Sequence, residues 1–91
     1  PRAFAPAGGS LRSETDVSFD LSRAADVTVR VYSAAGRLER VVARDLPLAR
    51  GRNTLTWNGR DEDGRVVASG LYVVVVTAGG AQGEQVVAVV R

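Results

Sequence analysis

Asn58, Asp61 and Asp63 place three oxygen-bearing side chains within six residues, directly ahead of Gly64. Oxygen donors at close spacing suit a hard cation such as Ca²⁺. The twelve-residue loop with a closing Glu that such sites use is incomplete here, so the same three residues are also expected as turn formers, accepting bonds from nearby backbone N–H groups. Asp61 and Asp63 are a poor acid–base pair. Their i, i+2 spacing on an exposed turn offers no burial to raise one carboxyl relative to the other. The chain has no His, Cys or Met, and all twelve of its basic residues are Arg. Ser10, Ser13, Ser18, Ser22, Ser33 and Ser69 therefore have no imidazole or amine to activate them. Gly36, Gly51, Gly64 and Gly70 match no phosphate-binding spacing. The expectation is a protein that is not an enzyme and needs no cofactor.

The elements that carry these residues come from a chain of 91 residues, enough for one domain with a thin core. At 45% hydrophobic and 24% charged it has the composition of a folded protein. The net charge is +2. The densest Arg stretch, 37–65, also carries Glu39, Asp45, Asp61, Glu62 and Asp63, which argues against nucleic acid as a partner. The longest apolar run, Leu71 to Ala78, is too short for a membrane span. Residues 1–13, with two prolines and a Gly-Gly-Ser, read as an extended lead-in or linker, and residues 14–91 as the domain. Phe4 is the one lead-in residue with a reason to dock.

Alternation with period two dominates the rest, and no helical spacing interrupts it. Strands are expected at 14–21, 27–33, 37–43, 52–58, 70–78 and 83–91, with a short extra one at Arg65 to Val67. Residues 46–51 read as a connection. Gly79-Gly80 closes the last hairpin. The inward positions are Val17, Phe19 and Leu21, then Val27, Val29 and Val31, then Leu55 and Trp57. Trp57, the only Trp, is the core anchor. The last two strands are apolar at both parities. Tyr72, Val74 and Val76 are placed inside. Because Gln85 and Arg91 share parity with Val87 and Val89, Val86, Ala88 and Val90 are placed inside as well. Val73, Val75, Val87 and Val89 then form an outward patch, the expected partner surface. Tyr32 is the only outward strand aromatic.

Val27-Thr-Val-Arg-Val31-Tyr32 running into Ala35-Gly36-Arg37-Leu38, then Trp57-Asn-Gly-Arg-Asp61, then Ser69-Gly70-Leu71-Tyr72, resembles the FlgD-type immunoglobulin-like domain. The resemblance spans about residues 4–91 and departs at Glu39 and Val75. That family includes a domain of the flagellar hook-capping protein and C-terminal modules of bacterial extracellular proteins, and is similar to type IX secretion sorting domains. It implies an all-β immunoglobulin-like sandwich of about seven antiparallel strands with a non-catalytic role. The expected function is an accessory module of a secreted or cell-surface bacterial protein that docks, anchors or sorts its parent. The partner is another protein, a neighbouring domain or a second copy. The alternatives are a piece of a hook-capping scaffold, and a carbohydrate-binding module that would use Tyr32.

Overall fold

Seven strands account for most of the computed structural model, which describes residues 2–9 and 11–91. Pro1 and Ser10, both in the expected lead-in, lie outside the described residues. The strands are β1 (Arg2–Phe4), β2 (Thr15–Leu21), β3 (Ala25–Ser33), β4 (Leu38–Leu48), β5 (Gly51–Trp57), β6 (Gly70–Ala78) and β7 (Ala81–Val89). Among the described residues there is no helix, and hence none long and apolar enough to cross a membrane. A five-stranded sheet in the order β1-β7-β6-β3-β4 packs against a two-stranded sheet of β2 and β5. Every pairing is antiparallel except β1 with β7. This is the all-β immunoglobulin-like sandwich that the family resemblance implies.

The core lies where the inward residues of both sheets meet. Val27, Val29 and Val31 of β3 and Val74 of β6 are fully buried, facing Val17 of β2. Trp57, at the end of β5, is the largest buried side chain. It packs edge-on between Phe4 and Tyr72, with both ring centroids 5.5 Å away. Its indole N–H donates to the Arg60 carbonyl at 3.0 Å, so burial leaves no polar atom unpaired. Phe19, Leu21 and Leu55 point inward but stay half-buried.

Four expectations need correction. Part of the lead-in belongs to the fold: Arg2–Phe4 adds a parallel strand to β7, and Phe4 is fully buried. The stretch expected to connect at 46–51 is partly strand, since β4 runs on to Leu48. A bulge at Asp45, with φ of 48°, lets it do so, and the Asp45 N–H is held by the Thr28 hydroxyl at 3.1 Å. Pro47 is tolerated there because β4 is an edge strand. The extra strand at Arg65 to Val67 reduces to a single bridge between Arg60 and Val66.

The last correction changes the surface. Val87 and Val89 are buried, at 3% and 2% exposed, whereas Val86 and Val90 are 45% and 43% exposed. Ala88 is half-buried on the outer side opposite Leu71. The cause is Gln85. It does point inward, yet its amide reaches the two-stranded sheet and donates to the Ser18 carbonyl at 2.6 Å. That carbonyl lies on the open edge of β2. A polar side chain at an inward position is thus paired rather than solvated, and its parity does not mark the water side.

Candidate interaction surface

Two regions hold the residues singled out by the sequence: the turn after Trp57 and the outer face of the five-stranded sheet.

The turn is built by its own side chains. Asn58 Oδ1 accepts from the Arg60 N–H at 3.1 Å. Asp61 Oδ1 accepts from the N–H groups of Asp63 and Arg65, at 2.9 and 3.0 Å. Asp63 stands beside Arg65 at 4.0 Å, both well exposed. Asn58 and Asp61 therefore direct oxygen at the backbone of their own loop. Among the described residues no three acids, His or Cys gather as a metal-ligand group. The turn also lies across the free edge of β4. The Glu62 carboxylate accepts from the Val41 N–H, and the Arg40 guanidinium donates to the Asp61 carbonyl at 3.2 Å. Covering an edge in this way blocks stray strand pairing.

Gly59 explains why the Trp-Asn-Gly run needs its glycine. Its φ is 72°, and a Cβ there would overlap the Pro6 ring and press on Phe4. The start of the chain thus folds down onto the motif, and the two regions fix each other. The Ser69-Gly-Leu-Tyr72 run has a similar role. Tyr72 donates its hydroxyl to the Ala68 carbonyl at 2.6 Å, and Ser69 Oγ accepts from the Arg91 N–H at 2.9 Å. Burial, with a smaller contribution from Glu39, pushes the Tyr72 phenol above its ordinary pKa.

The outer face of the five-stranded sheet is where apolar groups meet water. Of the four valines expected there, Val73 and Val75 lie on it, half-buried, and Val87 and Val89 do not. The register replaces them with others. Val86, Val73, Tyr32 and Leu38 stand opposite one another in a row across β7, β6, β3 and β4. Leu71 faces Ala88 in the row above. Val86 and Leu38 are 45% and 46% exposed, so the row is open to solvent at both ends. The next row carries Glu84, Val75 and Arg30. Neither of its charged side chains has an ion-pair partner among the described residues. The sequence held a signal for this arrangement. A two-residue loop at Gly79-Gly80 sets Ala78 opposite Ala81, which puts Tyr72 opposite Val87 and Val73 opposite Val86.

Concave sites are shallow by comparison. One hollow, about 740 Å³, is lined by residues 20–26 and 78–81. Ser22 is its only hydroxyl, and the chain has no His or Lys to activate it.

Comparison with known proteins fits this geometry. The family model described as the FlgD Ig-like domain matches residues 7–82. The basal-body rod modification protein FlgD of Salmonella typhimurium strain LT2 is 35% identical over 77 residues, covering 81% of this chain. The FlgD of Salmonella typhi matches to the same extent. The chain spans about a third (33%) of the length of these relatives. The crystal structure of FlgD from P. aeruginosa superposes with a TM-score of 0.68 at 23% identity, over 80% of this chain and 59% of that one, a likeness of fold. With its sandwich, its capped Trp turn and a family match over most of its length, this chain belongs to the FlgD Ig-like domain family.

Proposed function

We propose that this domain is a non-catalytic docking module of a flagellar rod- or hook-associated scaffold, acting outside the cytoplasm of a bacterium. The observation that carries the reading is the 35% identity to the basal-body rod modification proteins over most of the chain. Two features of the molecule support it. A rigid sandwich pinned by Trp57 loses little conformational freedom on binding. Its five-stranded sheet offers an apolar outer face where an isolated sheet would carry polar groups. The mechanism is contact and positioning: the folded unit holds a neighbouring protein against that face.

A second reading places the same module on a secreted or cell-surface parent that it anchors or sorts. It draws support from the match being to a single Ig-like domain, since one fold can serve on different parents.

The test is direct binding of the purified domain to purified rod and hook subunits by biolayer interferometry. Binding that weakens in Leu71→Arg, with the melting temperature kept, is expected. A folded domain that binds no axial subunit overturns the flagellar reading. Binding of a polysaccharide instead, lost in Tyr32→Ala, would replace it with a carbohydrate-binding module.

A further inference from the structure

We propose that the outer face of the five-stranded sheet joins two copies of this chain, with Arg30 of one copy meeting Glu84 of the other. The inference deepens the docking reading and rests on it.

The pattern of the face is self-complementary. Val75 on β6 has Glu84 beside it on β7 and Arg30 beside it on β3. Neighbouring strands are about 4.8 Å apart, so the two charges flank the apolar centre at about equal distances. Neither is ion-paired among the described residues of its own chain. A two-fold axis lying between two such faces and running along β6 exchanges left for right. It sets Glu84 over Arg30 of the second copy and Arg30 over Glu84 of the second copy. The same rotation lays Val86 over the second Tyr32 and stacks Val73 and Leu71 on their own counterparts. Sheets pack face to face about 10 Å apart, a gap that an Arg and a Glu side chain together can span. Both charges then find partners, and Val75 between them and the apolar row beside them leave water. Closed two-fold contacts of this kind use one patch twice.

The size of the face sets the strength. Four gaps of about 4.8 Å and strands of nine residues at about 3.3 Å give a face of roughly 600 Å². Two copies would bury roughly 1,200 Å², the lower limit of specific interfaces. The pair is therefore a weak one, favoured at high concentration or when copies are tethered in an assembly. The opposite face offers no such contact, because its charges are already paired within the chain.

Sedimentation velocity on the purified domain, from about 10 μM to 1 mM, reads the equilibrium. The expected result is a monomer that shifts to dimer as concentration rises. Val73→Arg should abolish the dimer. Arg30→Glu and Glu84→Arg should each weaken it by roughly tenfold or more, as close interfacial charges do. The double variant R30E/E84R restores the pairing and should dimerise within about threefold of the wild type. Thermal melts of each variant confirm folding. A domain that stays monomeric throughout overturns the proposal. So does a double variant no better than its singles, since association would then be unspecific. Rod-subunit binding by a strictly monomeric domain would sink the dimer and leave the docking reading standing. A dimer with the charge-swap pattern and no axial-subunit binding would do the reverse.

Discussion

On the outer side of the two-stranded sheet, Asp16, Ser18 and Asp20 alternate with the inward residues of β2, and Arg52, Thr54 and Thr56 do the same on β5. They answer one another across the strands: Ser18 and Thr54 share a hydrogen bond of 3.0 Å, and Arg52 meets Asp20 at 3.2 Å. On the outer side of the five-stranded sheet the corresponding positions hold Leu71, Val73, Val75 and Val86. The inner faces of both layers share one core, so the fold makes the same demand on each. β5 meets its strand propensity with Thr, a residue that favours strands about as well as Val. Strand formation alone therefore does not account for Val on β6 and β7. The comparison teaches that the outer face of the small sheet is closed upon itself, whereas that of the large sheet is left unsatisfied and is the side to expect contacts from.

The contrast presumes that both faces belong to one folding unit tied through Trp57. Replacing that residue is the largest perturbation available. Trp57→Ala removes the ring lodged between Phe4 and Tyr72 and should cost about 3–5 kcal/mol. Against a total on the order of 5–15 kcal/mol, much of the protein would unfold. Chemical denaturation checks it, and an unchanged midpoint would mean that the two layers are held by something else. The next effect separates inside from outside on one strand. Val87→Thr puts a hydroxyl into the core and should cost about 1–3 kcal/mol. Val86→Thr should stay within about 0.5 kcal/mol. Equal costs at the two positions would erase the distinction on which the apolar face rests.

Most of the scaffold was legible from alternation alone. Val17, the β3 valines, Trp57 and the Tyr72-Val74-Val76 set are inward in pattern and buried in fact. Three things escaped. Phe4 was visible as a docking residue, but a strand of three residues leaves no periodicity to read, and its pairing with β7 is long-range. The bulge at Asp45 hid the continuation of β4, because Pro47 normally argues against a strand. On β7 two local signals disagreed. The polar identity of Gln85 suggested an outward side chain, and the two-residue turn at Gly79-Gly80 required an inward one. Turn geometry fixes register, while polarity only correlates with exposure. The surface was therefore half legible: Val73 and Val75 came from the pattern, whereas Val86, Leu38, Arg30 and Glu84 needed the pairing of strands.

Smaller effects probe how each layer is closed. Tyr72→Phe deletes the bond to the Ala68 carbonyl and should cost about 1 kcal/mol. It should also flatten the alkaline limb of the stability curve. The folded-state pKa of Tyr72 is raised by burial. Its contribution is thus fully present below the unfolded value, about 10, and is lost as pH rises towards the folded one. If wild type and Tyr72→Phe lose stability in parallel above pH 10, burial of this phenol is not what the alkaline limb reports. The smallest effect belongs to the polar face. Asp16 is held below its ordinary pKa by the hydrogen bond and charge of Arg12, 3.2 Å away. The contribution is complete above the unfolded value of about 3.9 and disappears as pH falls through the lower folded one. Both groups are open to solvent, so salt should weaken the pair. Asp16→Asn should therefore melt slightly below wild type at neutral pH and low salt, with the gap closing in acid and in high salt. A gap that persists at pH 2 would mean that Asp16 acts by packing rather than by charge, and the outer side of the small sheet would then be more than a solvated screen.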